Sequence, residues 1–216
     1  MIKTVLVTGG TKRLGLAIAN RLRERGWRVL TSSHRADAGA DFTVDLAKSD
    51  GPSELLAACR AANDGKLPDA VVNNAALFIG PDEMLRQVNL EAPVQLMRLM
   101  ALRREGVGSV VNILDTRILG QHTAHFVDDP YSLTKAELRD ATLEGARQFV
   151  EMLRVNAVAP GPVLVPEEVH EAAGAIPLGR PTPTAVAEAV VFLLEAEYTT
   201  GAIIPVDGGQ FYRVRP

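Results

Sequence analysis

Tyr131 and Lys135 stand four residues apart in Tyr131-Ser132-Leu133-Thr134-Lys135, so on a helix they share one face and their tips can meet. A free phenol has a pKa of about 10. A neighbouring ammonium stabilises the phenolate and brings the hydroxyl toward the range of a useful proton donor. A second chemical feature lies near the start of the chain, where the apolar run Val5-Leu6-Val7 leads into Thr8-Gly9-Gly10-Thr11-Lys12-Arg13-Leu14-Gly15 and then into a helical pattern. Glycines and free backbone N–H groups at a helix N-terminus make a cradle for a pyrophosphate.

The second strand pattern ends Thr31-Ser32-Ser33-His34-Arg35, and no acid follows until Asp37. A dinucleotide without a 2′-phosphate is held by an Asp or Glu about twenty residues past the glycines, which accepts from the ribose hydroxyls and repels a phosphate. Hydroxyl, imidazole and guanidinium groups are instead the donors a phosphate needs. Ser33, His34 and Arg35, with Arg13, therefore point to NADP(H) as the cofactor. His122 and His125, three apart and followed by Asp128 and Asp129, have the residue types of a metal site. The expectation for them is a polar loop and no metal, because neither the spacing nor the chemistry asks for one.

The elements that must position these groups alternate along the chain. Short β-branched runs and longer helical patterns follow one another: strand Ile2–Thr8, helix Lys12–Arg25, strand Trp27–Ser33, helix Pro52–Ala62, strand Ala70–Asn73. Further helices are expected at Pro81–Arg104, broken near Pro93, at Tyr131–Phe149 and at Pro183–Ala196, with a last strand at Ala202–Val206. The strand runs are apolar without alternation, as when helices cover both sides of a sheet. The expected fold is α/β: a single-domain, Rossmann-type, doubly wound parallel sheet of about seven strands, with residues 1–216 as one dinucleotide-binding and catalytic unit. The Pro-rich connection Pro160–Pro183 lies inside that unit, and a loop of such length is usually functional.

Composition excludes several classes. Lys+Arg 23 against Asp+Glu 26 leaves a net charge of -3, too balanced for binding nucleic acid by counterion release. Cys59 is the single cysteine, so no disulfide forms within one chain and the cytoplasm is the expected compartment. No apolar h-region opens the chain and no apolar run approaches eighteen residues, so neither secretion nor a membrane partner is expected.

Further runs complete an ordered set: Asn73-Asn74-Ala75-Ala76 ending strand four, Asn89 in the following helix, Pro160-Gly161 after strand six, and Val206-Asp207-Gly208-Gly209 near the end. With the glycine turn and Tyr131/Lys135, this order resembles the short-chain dehydrogenase/reductase family over essentially the whole chain. Arg13 stands where the usual glycine turn carries a middle glycine, and Thr-Gly-x-x-x-Arg-x-Gly resembles the pteridine reductase and dihydromonapterin reductase branch. The resemblance implies cofactor contacts from Gly9, Thr11, Arg13, Leu14, Gly15, Asp45 at the adenine amino group, Leu46, Asn74, Ala75, Ala76, Pro160, Gly161 and Val163. It implies that Asn89 holds a water in the proton relay from Lys135. It also implies a homotetramer or homodimer paired through the helix at Pro93–Arg104 and the one beginning at Tyr131. Leu96, Leu99, Met100 and Leu102 supply an apolar surface for that pairing, though core packing explains them equally well.

At the end of strand five the family's usual serine aligns with Asp115, an aspartate also found in pteridine reductases. An ionised carboxylate can only accept hydrogen bonds, so it suits the ring N–H and amino donors of a pterin and repels a ketone oxygen. Sixteen positions separate Asp115 from Tyr131, a few more than usual, so Thr116 is an alternative for the hydroxyl role. Val165–Ala175 is shorter than the usual substrate lid. The expected function is an NADPH-dependent reductase of a small-molecule, pterin-like heterocycle, with Tyr131, Lys135, Asn89 and Asp115 as the catalytic set. A carbonyl or 3-oxoacyl reductase and a non-catalytic NADP-binding sensor are the alternatives. An intact Tyr131, Lys135 and Asn89 argue against the sensor, which needs none of them.

Overall fold

A computed structural model of the protein describes residues 2–102, 106–119, 129–163 and 176–212. Strands β1 (Thr4–Thr8), β2 (Arg28–Ser33), β3 (Phe42–Thr43), β4 (Ala70–Asn73), β5 (Gly108–Ile113), β6 (Leu153–Pro160) and β7 (Ile203–Val206) form one seven-stranded sheet. The order is β3-β2-β1-β4-β5-β6-β7 and every neighbouring pair is parallel. Helices α1 (Arg13–Glu24) and α6 (Pro183–Glu195) cover one face; α2 (Gly51–Ala62), α4 (Ala92–Met100) and α5 (Pro130–Gln148) cover the other.

The pleat explains why the central strands read as unbroken apolar runs. Val5, Val7, Val72 and Val111 pack with Ile18 and Leu22 of α1 and Val190 of α6, whereas Leu6, Val71 and Val110 pack with Leu55 of α2 and Leu96 and Met100 of α4. Both neighbours in each run are buried, on opposite faces.

The expected break near Pro93 takes a different form. The chain stays helical from α3 (Asp82–Arg86) through a π turn at Gln87–Glu91 into α4, with Pro93 in its first turn. A proline N–H is missing, so the carbonyl of Asn89 loses its usual donor four residues on, and the widened turn absorbs the mismatch without ending the helix. The far end of this expected helix, at Arg104, lies outside the described residues. Of the two readings of the apolar residues of this helix, core packing holds for most of them. Leu96 and Met100 are fully buried in the core and Leu99 packs against it, leaving Leu102 as the exposed member. Helical periodicity gives an apolar face without saying whether that face meets the sheet or a second copy.

A buried polar chain fixes α5 against the sheet. Asn73 donates to Asn112 (2.8 Å), Asn112 to Thr142 (2.9 Å), and Thr142 to the carbonyl of Leu138 (2.7 Å). These bonds join β4, β5 and α5 in the buried interior, where hydrogen-bonded polar groups specify one arrangement, although Asn73 Oδ1 has no partner among the described residues. That rotation of α5 aims Tyr131 and Lys135 at the end of β5.

Candidate active site

The order of the sheet reverses between β1 and β4, and in such sheets ligands bind outside the carboxyl ends of the strands at that switch point. Thr8, Ser33, Asn73, Ile113 and Pro160 end their strands on this edge.

The glycine turn has the geometry a pyrophosphate needs. Gly9 has φ +63, in the left-handed region, and a Cβ on Gly15 would lie 2.1 Å from the carbonyl oxygen of Gly9. Arg13, the first residue of α1, also has a positive φ of 50, an uncommon conformation for a side chain of its size. Its guanidinium is exposed and makes no hydrogen bond or ion pair among the described residues. Thr11 flanks the turn, and Leu14 packs partly into the core behind it.

Thr8 is the staple that sequence reasoning missed. Its Oγ1 accepts from the backbone N–H groups of Asn74 and Ala75 (3.0 Å each), and Asn74 Nδ2 donates to the carbonyls of Thr8 (2.9 Å) and Gly9 (3.2 Å). The loop Asn74-Ala75-Ala76 is thereby held against the glycine turn, with Ala76 exposed.

At the end of β2, Ser33 is partly buried and His34 and Arg35 are exposed, so this donor set sits together at the surface. Arg35 forms a two-pronged pair with Asp37 (2.9 and 2.6 Å), which the sequence pattern did not reveal. Asp45 is exposed and accepts from the N–H of Ala47 (2.9 Å). The side chain of Leu46 belongs to the core, so a ligand on the edge can meet only its backbone. Pro160 ends β6, Gly161 donates to the carbonyl of Val206 (2.9 Å), and Val163 packs on the core. Residues 164–175, with the shortened lid, lie outside the described set, as do His122, His125 and Asp128.

The structure brings Tyr131, Lys135 and Asp115 together. Asp129 caps α5 by accepting from the N–H of Ser132 (2.9 Å), with Pro130 at the first position, where a missing N–H costs nothing. One turn into the helix, Lys135 Nζ lies 5.8 Å from the Tyr131 ring centroid and donates to the carbonyl of Ile113 (2.8 Å). Tyr131 Oη donates to Asp115 Oδ2 (3.2 Å).

Burial lowers the Lys135 pKa from 10.5 to about 8, partly offset by Asp115. The phenol of Tyr131 moves the other way. Burial first, then the Asp115 carboxylate, push its pKa well above the ordinary value, and Arg117 pulls it partly back. The phenol is thus protonated and already donating to Asp115.

Arg117 escaped the sequence reading. Its backbone N–H (2.9 Å) and Nε (3.2 Å) donate to Asp115 Oδ1, and Nη2 donates to Oδ2 (3.0 Å). The guanidinium lies 5.1 Å from the Tyr131 ring centroid and 5.3 Å from that of Phe78, whose exposed ring meets Tyr131 edge-on at 4.8 Å. No local pattern announces a pair that reaches back two residues.

Thr116, the alternative for the hydroxyl role, is buried and donates to Asp207 Oδ2 (2.8 Å), a carboxylate that also accepts from the N–H groups of Gly209 and Phe211. Asp207 thus ties the turn after β5 to the end of β7. Asn89, buried in the π turn, accepts from the N–H of Leu77 (2.8 Å) and donates to the carbonyl of Leu77 (2.8 Å) and to Thr134 Oγ1 (3.2 Å). It fastens the loop after β4 to the catalytic helix. Among the described residues, no three His, Cys, Asp or Glu groups cluster as metal ligands.

This sheet, with a glycine turn after its first strand and a Tyr/Lys pair beside its switch point, defines a dinucleotide-dependent oxidoreductase class. Residues 10–210 match the family described as Enoyl-(Acyl carrier protein) reductase, and the chain belongs to the short-chain dehydrogenase/reductase family. It is 32% identical over 242 residues to Protein FixR of Bradyrhizobium diazoefficiens, covering 96% of this chain and 86% of that protein. It is also 32% identical to the 3-oxoacyl-[acyl-carrier-protein] reductase FabG of Aquifex aeolicus, covering 97% of each. Among solved structures, FolM alternative dihydrofolate reductase 1 of Brucella canis, complexed with NADP, superposes with a TM-score of 0.82 at 29% identity. That match covers 99% of this chain and 96% of that chain.

Proposed function

We propose that this chain is an NADPH-dependent reductase of a pterin-like heterocycle, working as one unit over its whole length. The observation that carries the reading is the carboxylate of Asp115 at the end of β5, in hydrogen-bond contact with the hydroxyl of Tyr131. A group that only accepts, beside a proton donor, matches a substrate that presents N–H groups and takes up a proton on a ring nitrogen. The likeness to a dihydrofolate reductase of this family supports the same substrate class.

The residues present fit NADP(H). The cradle that a Cβ on Gly15 would fill would receive the pyrophosphate, and the exposed Arg13 with Ser33, His34 and Arg35 would supply donors for the 2′-phosphate. Asp45 and the backbone of Leu46 hold the adenine; Asn74, Ala75, Ala76, Pro160, Gly161 and Val163 line the rest of the dinucleotide. The bound cofactor supplies a hydride. Tyr131 donates the proton, and the nearby Lys135 ammonium stabilises the phenolate that remains. Asn89 holds the loop after β4 in register with α5 and serves as the anchor for a relay water. Asp115 orients the heterocycle. The protein acts as a homodimer or homotetramer in the cytoplasm, a compartment that fits its single, buried cysteine.

One observation favours a carbonyl or 3-oxoacyl reductase as the second reading: the fork of Arg117 neutralises Asp115, which makes the site tolerable to a ketone oxygen. Asp115→Ser separates the two. It lowers pterin kcat/KM by one to two orders of magnitude, the scale of a lost charge-assisted hydrogen bond at roughly 1.5–3 kcal/mol, and leaves ketone reduction unchanged or faster. Loss of ketone reduction in that variant, with no pterin turnover in the wild type, overturns the pterin reading.

A further inference from the structure

An ionised carboxylate offers about four lone-pair sites on its two oxygens. In this structure all four of Asp115 are taken: Oδ1 accepts from the backbone N–H and Nε of Arg117, and Oδ2 from Nη2 of Arg117 and the hydroxyl of Tyr131. Three of those four bonds come from one residue. A heterocycle that is to be read by Asp115 must therefore take the place of donors already there: the Tyr131 hydroxyl frees one Oδ2 site when it turns to the substrate, and the Arg117 side chain must leave for a further N–H donor to be accepted, while the Arg117 backbone stays in the short helical turn after β5.

We infer that Arg117 is a specificity-determining residue: its guanidinium fork keeps the acceptor sites of Asp115 filled, so that only a substrate with N–H donors able to displace it gains the carboxylate. The inference rests on the reading of Asp115 as the substrate-facing acceptor. With the fork engaged, the guanidinium already lies within cation–π range of the rings of Tyr131 and Phe78, contacts that do not depend on its bonds to Asp115. With Arg117 engaged, the Asp115 position carries no net charge and accepts a carbonyl oxygen as neighbour. With Arg117 withdrawn, it is an anionic acceptor for ring N–H and amino groups. The same pocket is thus poised between two substrate classes, and this residue sets the balance.

Arg117→Gln and Arg117→Lys test this. The readouts are kcat/KM for 7,8-dihydrobiopterin and for an acetoacetyl thioester, and calorimetric binding of 2,4-diaminopteridine, a planar probe with two amino donors, to the NADP-loaded protein. Arg117→Gln is expected to tighten the probe about tenfold or more and to move the pterin-to-thioester ratio by a similar factor toward the pterin, the scale of one charge-assisted hydrogen bond. Arg117→Lys, which keeps the charge and lacks the fork, falls between. If the glutamine variant does not fold, a shift of the lysine variant in the same direction upholds the inference, and unchanged probe binding in it overturns it. A purely structural role predicts that both substrates lose kcat/KM together while the probe binds no more tightly, and that result overturns the inference. A wild type that turns over neither substrate defeats the proposed function. In that case tighter probe binding by Arg117→Gln still supports the role of Arg117, and unchanged binding refutes it.

Discussion

The hydroxyl of Tyr131 donates to Asp115 Oδ2 across 3.2 Å, sixteen residues back in the chain, so the proposed proton donor points at the proposed substrate acceptor. Burial and this carboxylate hold the phenol protonated beyond its ordinary range. A substrate that takes the place of Asp115 as acceptor receives an aligned donor.

Tyr131→Phe keeps the ring and its edge contact with Phe78 and loses only the hydroxyl. NADPH affinity is expected to stay within about twofold, while kcat falls by roughly 100-fold or more, the range attributed to general acid catalysis. Steady-state kinetics with a fluorescence titration of NADPH checks both. A variant that keeps most of its kcat places the proton source elsewhere.

Cofactor choice follows from the end of β2. NADPH is expected to bind more tightly than NADH by about 1–3 kcal/mol. Arg35→Ala removes much of that preference. Because Arg35 is paired with Asp37 in the structure, Asp37→Asn frees the guanidinium and tightens NADPH, but not NADH, by a few-fold at low salt. Equal affinities of the wild type for the two nucleotides would sink the assignment.

Lys135 links the site to stability. Its folded pKa, lowered to about 8 by burial, lies below the unfolded value near 10.5, so between these values the unfolded chain holds more protons and stability rises with pH. Below pH 8 the ammonium is charged in both states and its burial is a cost. Tyr131 and Cys59, whose pKa values burial raises, pull the other way at high pH, so the difference between the wild type and Lys135→Met isolates the lysine. From urea unfolding without nucleotide, that difference is expected to move in favour of the wild type by up to about 3 kcal/mol between pH 8 and 10.5. A flat difference contradicts the buried ammonium.

Gly15→Ala sets a Cβ against the carbonyl oxygen of Gly9 at 2.1 Å and against Asn74 Nδ2 at 2.6 Å. Backbone cannot yield as a flexible side chain does. The variant is expected to lose about 1–3 kcal/mol of stability, the scale of an overpacked interior, and NADPH affinity with it. Thermal unfolding with and without NADPH measures both; an unchanged midpoint shift on adding NADPH would show that the turn is not the cradle.

The strands were legible because β1, β4 and β5 are covered on both faces and so read as unbroken apolar runs. Helix α5 was legible from Tyr131 and Lys135, one turn apart. What stayed hidden depends on partners distant in the chain. Thr116 looks like a spare hydroxyl until Asp207, ninety-one residues on, accepts its hydrogen bond. Leu96 and Met100 present an apolar face whose neighbour, sheet or second copy, is a matter of tertiary packing. Arg117 is close in sequence to Asp115, yet its fork closes only because the turn after β5 bends the guanidinium back.

Oxidation of NADPH, followed at saturating cofactor with dihydrobiopterin, dihydrofolate and an acetoacetyl thioester side by side, tests the central claim most directly. A reduced pterin is expected to show the highest kcat/KM, and Tyr131→Phe to lose that activity. A thioester turned over with the higher kcat/KM, with neither heterocycle reduced, contradicts it.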